Sequence, residues 1–94
     1  MAIDTVKFVE DNLPAFKERM RITSEDEDER LKRMLTSSIV ATTSLVGATE
    51  LDEMLKELTF ERARYVYHDA LDEFQKNYAD EIELQTFLNS LKEG

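Results

Sequence analysis

Apolar residues recur every three to four positions along most of this chain, the period of a helix with one buried face. The first stripe is Ile3, Val6, Val9, Leu13, Phe16 and Met20. Pro14 falls inside it. Proline donates no backbone hydrogen bond and crowds the preceding turn, so this pattern predicts a break or kink near Leu13 and a short new helix over Pro14–Met20. A second stripe comprises Leu31, Met34, Leu35, Ile39, Thr42, Leu45 and Val46 and stops at Gly47, a residue suited to a left-handed C-terminal cap. It predicts a helix from about Glu25 to Leu45, with Ser37-Ser38 and Ala41-Thr42-Thr43-Ser44 small enough for close helix packing.

Two shorter stripes follow. Leu51, Met54, Leu55 and Leu58 form one, and Ala63, Val66, Tyr67, Ala70, Leu71 and Phe74 form the other, shifted by about one position. The shift predicts a bend near Thr59-Phe60 or two abutting helices. Thr49, with Asp52 three positions on, is the expected cap of this region. Asn77-Tyr78-Ala79-Asp80 is the next expected break, with Asp80 as cap, and Ile82, Phe87, Leu88 and Leu91 mark a short final helix. Two Gly, one Pro and no Asn-Gly or Asp-Gly pair leave little turn chemistry for a sheet. The expected fold is all-α: a small bundle of four to five helices with two longer central ones, in a single domain over residues 1–94.

Charge narrows the function. Twelve Lys and Arg against 21 Asp and Glu give a formal net charge of −9, which disfavours generic binding to nucleic acid or anionic lipid. The chain has no cysteine, which excludes disulfides, thiolate nucleophiles and Cys-ligated metal or iron–sulfur sites. No apolar run approaches the roughly 20 residues that span a bilayer. Asp4, Lys7 and Glu10 stand where a signal peptide would be apolar, so the chain reads as soluble and unprocessed.

The acidic run Glu25, Asp26, Glu27, Asp28 and Glu29 is the most conspicuous local feature. Calcium loops alternate their oxygen ligands and place a Gly at the sharp turn; consecutive acids without that Gly point in several directions on a helix. A solvated helix start is the better reading. Ser24 with Glu27 fits a capping box, and Thr23 with Asp26 is a competing register. Acids in a first turn meet the positive end of the helix dipole, and Arg30, Lys32 and Arg33 follow at pairing distance. A further reading is an electrostatic surface facing a partner or a DNA channel.

His68 is the sole histidine and lacks the aligned nucleophile or further ligands that catalysis or metal binding requires. No phosphate-binding Gly-rich loop, nucleophile elbow or paired zinc-ligand motif is present. The chain is expected to be a non-enzyme without cofactor or metal. Arg62 and Arg64 beside Tyr65 and Tyr67 are too few, among so many acids, for a nucleic-acid platform. They predict instead half-buried tyrosines with satisfied hydroxyls, and arginines paired with acids such as Glu61 or the Glu25–Glu29 run, or set at a subunit interface.

The order of these features is distinctive. An amphipathic start ends in Arg19-Met20-Arg21-Ile22, a Thr/Ser with acids opens a helix, and Leu31-Lys32-Arg33-Met34-Leu35 carries it on. After Gly47 comes Glu61-Arg62-Ala63-Arg64-Tyr65-Val66-Tyr67-His68-Asp69-Ala70-Leu71-Asp72-Glu73-Phe74, then Asn77-Tyr78 before an apolar tail. From about Leu13 to Leu91 this resembles the head–tail connector (adaptor, or DNA-packaging connector) proteins of long-tailed double-stranded-DNA phages. The resemblance implies a helical bundle assembling below the portal protein as a ring of about a dozen copies. The ring would join the head to a stopper or tail-completion protein and line part of the DNA channel. It would act in the virion neck, after assembly in the bacterial cytoplasm, with no membrane contact. The resemblance also implies packing or assembly roles for Arg62, Arg64, Tyr65, Tyr67, Asp69, Leu71 and Phe74. The alternative is a small acidic regulatory helical protein that binds a basic partner or mimics DNA.

Overall fold

The computed structural model describes residues 3–93. It contains five helices: α1 (Thr5–Met20), α2 (Asp28–Val46), α3 (Glu53–Tyr67), α4 (Leu71–Asn77) and α5 (Ala79–Glu93). Among the described residues there is no strand, and the all-α bundle with long central helices is the observed fold. No helix among them is long and apolar enough to cross a membrane.

Helix α1 runs through Pro14 without the predicted break. Pro14 is exposed, so its ring points to water and the carbonyl it leaves unpaired, on Glu10, lies on an exposed stretch too. The core face holds the helix together, with Phe8, Val9, Asn12, Leu13 and Phe16 buried, while Val6 of the predicted stripe is two-thirds exposed. Asp4 caps the start by accepting from the Lys7 N–H at 3.0 Å.

Helix α2 starts at Asp28, three residues later than predicted. Neither predicted capping box forms: Ser24 Oγ accepts instead from the Asp26 N–H at 3.0 Å, closing a tight turn before the helix. Only Asp28 and Glu29 of the acidic run occupy the first turn. Pairs of Arg30 with Glu27 and Lys32 with Glu29 lie at the expected spacing. Gly47 ends the helix at φ 67°, as predicted. Leu31, Leu35, Ile39 and Val46 are fully buried, whereas Leu45 is exposed.

Helix α3 is unbroken through Thr59 and Phe60, so the shifted stripe reflects a later event. Asp52, rather than Thr49, caps it, accepting from the Leu55 N–H at 2.9 Å. The chain turns at His68–Ala70, where Asp69 adopts φ 58° and the Ala70 N–H reaches back to the Tyr65 carbonyl at 2.8 Å. That six-residue closure is a Schellman ending built on Asp instead of Gly. Helix α1 ends the same way at Arg21, with φ 59°.

The packed seams are α1 on α2, α2 on α3 and α2 on α5. Phe60 stands between Phe8 and Phe16 of α1, with ring centroids 6.4 and 5.6 Å away. Within the α2–α3 seam, Thr42 Oγ1 and Thr59 Oγ1 lie 2.7 Å apart, fully buried. Each hydroxyl also lies 2.8 Å from a carbonyl of its own helix, Ser38 and Leu55 respectively.

Helix α5 corrects the expected short final helix in both length and orientation. Residues Asp80, Leu84, Phe87, Leu88 and Leu91 share one face by their spacing. That face looks outward: Leu84 is 48% exposed, Phe87 59%, Leu88 36% and Leu91 60%. The inward face carries Ile82, packed on the core, with Gln85 and Asn89. Gln85, buried, donates to the Met54 carbonyl at 3.1 Å, and Asn89 donates to the Val46 carbonyl at 2.9 Å. The Val46 carbonyl belongs to the last turn of α2, whose acceptors have no helical partner. The predicted break before α5 narrows to Tyr78, and Asp80 lies in the first turn.

Candidate functional site

Successive positions on a helix are turned by about 100°, so Arg62 and Arg64 leave opposite flanks of α3 while Ala63 between them is buried. The two arginines therefore meet different chemistry. Arg64 turns toward the α4–α5 junction and pairs with Glu61 one turn back, Nη2 to Oε1 at 2.7 Å. Its guanidinium also lies 5.1 Å from the centroid of the Tyr65 ring.

Glu61 gathers the rest of that junction. Arg19 at the end of α1 donates to it at 3.0 Å and forks to Glu57 at 2.7 and 2.9 Å. The Tyr78 hydroxyl donates to the same carboxylate. Burial pushes the Glu61 carboxyl up, but hydrogen bonds from Arg64 and Tyr78 and the two guanidinium charges outweigh it and hold the group below its ordinary value. Tyr78 is pushed up to about 12, first by burial and then by its bond to Glu61. The Arg19 guanidinium, bonded to Glu57, is raised despite partial burial. Beneath this network Tyr65, Phe74 and Tyr78 pack as an aromatic triad with centroids 5.2–5.8 Å apart. Asn77 Nδ2 donates to the Tyr65 hydroxyl at 3.0 Å.

Tyr67 links the same helix to the acidic run, donating to Glu27 Oε2 at 3.0 Å, and this bond raises its pKa. Arg30 joins that contact, paired with Glu27 at 2.9 Å and stacked 5.1 Å from the Tyr67 ring centroid. Asp28 pairs with Lys17 of α1 at 2.6 Å. Two of the five predicted acids are thus internal ties, while Glu25, Asp26 and Glu29 stay exposed. The expected tyrosine packing is observed at both Tyr65 and Tyr67.

Arg62 departs from the expected pairing with an acid. It reaches across to α2, where the facing residues are small or apolar, and donates to Ser38 Oγ at 3.0 Å. It has no carboxylate partner among the described residues, and burial lowers its pKa. It lines a cleft of about 670 Å³ together with Ala41, Leu45, Leu71 and Phe74. Of the remaining motif residues, Phe74 is buried, Leu71 is exposed at the cleft, and Asp69 is exposed in the turn. The run is therefore split over α3, a turn and α4. His68 is exposed and ends α3.

Sequence reasoning missed Arg19 and Tyr78 as members of the Glu61 network. Arg19 is 42 positions from Glu61, and no local pattern joins them. No group of three or more His, Cys, Asp or Glu side chains suited to a metal ion is present among the described residues. The chain matches no family model, no curated protein and no solved structure.

Proposed function

We propose that this chain is a non-catalytic structural component of a phage neck, a head–tail connector that assembles as a ring beneath the portal protein and meets a stopper or tail-completion protein on its other side. The order of residues from Arg62 to Phe74 supplies the likeness to connectors. The observation that carries the assembly reading is the outward apolar face of α5, since four large apolar side chains turned to solvent on a small bundle suit a subunit finished by its neighbours. A subunit of net charge −9 also suits a channel through which DNA slides without being gripped.

The rival acidic-binder reading draws on Glu25, Asp26 and Glu29, which are exposed. It loses weight because Glu27 and Asp28 are committed to Tyr67, Arg30 and Lys17 within the fold. Electron microscopy of the chain mixed with its cognate portal, against portal alone, tests the proposal. An added ring of density at the tail-facing end is the expected result. Unchanged portal particles at micromolar concentrations of both proteins would sink it.

A further inference from the structure

Two surfaces of this molecule complement each other. The first is the outward face of α5, a stripe about 16 Å long at 1.5 Å per residue, in which exposed Asp80 precedes Leu84, Phe87, Leu88 and Leu91. The second is the cleft between α2, α3 and α4, with apolar walls from Ala41, Leu45, Leu71 and Phe74. Leu45 and Leu71 there are 38% and 41% exposed, and Arg62 supplies a guanidinium that, among the described residues, bonds only to Ser38. Asp72 also lines the cleft but forms no ion pair with Arg62 among the described residues. A half-buried cation without an opposite charge carries a desolvation cost that an arriving carboxylate offsets. An apolar stripe led by a carboxylate meets both needs of such a cleft.

We infer that the outward face of α5 on one copy docks into the Arg62 cleft of the next copy, with Asp80 approaching Arg62 and the apolar stripe covering Leu45 and Leu71. The two surfaces are different patches of one chain, so the contact is head-to-tail. Each copy keeps a free face and a free cleft until the series closes on itself as a ring. The contact rests on the proposed ring assembly in that copies of the chain must meet one another; the surfaces that meet are the new assignment.

Sedimentation equilibrium of the full chain, from micromolar to about 1 mM, tests it. The parent protein is expected to self-associate, and Arg62→Glu and Asp80→Lys each to weaken association by about tenfold or more. The double variant Arg62→Glu/Asp80→Lys restores the charge match and should recover association, an outcome that damaged folding would not give. A parent protein monomeric throughout overturns the inference. So do charge reversals without effect, or a double variant that fails to recover. Cysteine pairing gives a second readout that does not depend on the charge variants, because the chain has no thiol of its own. Phe87→Cys mixed with Leu71→Cys should oxidise to a crosslinked heterodimer, whereas preferential Phe87→Cys homodimers would place α5 against α5 and overturn the docking. The portal experiment separates the two claims. Added ring density with association indifferent to both charge reversals removes the docking and leaves the neck reading. Rescued association without added density does the reverse.

Discussion

Helix α2 places Leu31, Leu35, Ile39 and Val46 in the core, whereas α5 turns Leu84, Phe87, Leu88 and Leu91 to solvent and packs Gln85 inward. Both helices are amphipathic in sequence, and periodicity alone assigns both apolar faces to the interior. The difference lies in what the neighbouring backbone needs. At the end of α2 the Val46 carbonyl requires a donor, and Asn89 on the polar face of α5 supplies one. A polar face that satisfies its neighbours can win the inside position, and the apolar face is then left for a contact outside the fold.

Substitutions in the two stripes should separate them most sharply. Leu35→Ala, at a fully buried position of α2, is expected to destabilise the protein by about 3 kcal/mol in urea unfolding. Phe87→Ser on α5 should stay within about 0.5 kcal/mol of the parent under conditions where the protein is monomeric. A large loss at Phe87 would mean that its face is buried within the single chain.

The Glu61 network should be the next most sensitive region. Glu61→Gln weakens the ionic bonds to Arg19 and Arg64 and is expected to cost about 2 kcal/mol at neutral pH. Because the folded carboxyl titrates below its ordinary value of 4.5, its contribution is present above that value and is lost as pH falls through the lower, folded one. Glu61→Gln should therefore flatten the acid side of the stability–pH curve. Tyr78 acts at the other end: its pKa is raised from 10.0 to about 12, so its contribution is full below 10.0 and lost as pH rises toward 12. Tyr78→Phe should remove that alkaline slope and reduce the acid one without abolishing it, because Arg64 and Arg19 still hold Glu61 low, in denaturation midpoints measured across pH.

A smaller effect tests why α5 faces as it does. Gln85→Ala removes the bond to the Met54 carbonyl and should cost about 1 kcal/mol, more than Phe87→Ser despite the loss of a less apolar group. The opposite ranking would show that burial of apolar surface, not backbone satisfaction, orients the helix. Smallest of all, Arg21→Gly should stabilise by about 0.5 kcal/mol, since Arg21 holds φ 59° where glycine rests without strain.

Three left-handed residues, Arg21, Gly47 and Asp69, explain much of what was legible in the chain and what was not. Gly47 announced the end of α2, because glycine is the usual residue for that conformation. Asp69 and Arg21 end α3 and α1 in the same geometry without announcing it, so the break after Tyr67 was expected too early, near Thr59. Pro14 erred the other way, a breaker overruled by five buried neighbours on its own helix. In the candidate site, local spacing pointed to arginines paired with acids, Glu61 among the candidates, and to the tyrosine packing. That Arg62 meets Ser38 and, among the described residues, no carboxylate was hidden, because it depends on which residues of α2 lie across the seam.

The buried hydroxyls of that seam carry one further consequence. Thr42 and Thr59 make three close polar contacts between them, to each other and to the carbonyls of Ser38 and Leu55, yet together they hold only two hydroxyl hydrogens. One contact always lacks its proton. Either Thr42 donates to Thr59 and Thr59 to Leu55, or Thr59 donates to Thr42 and Thr42 to Ser38. The two helices thus share a chain of hydrogen bonds that can run in either direction, and reversing it requires both hydroxyls to rotate together at the centre of the bundle.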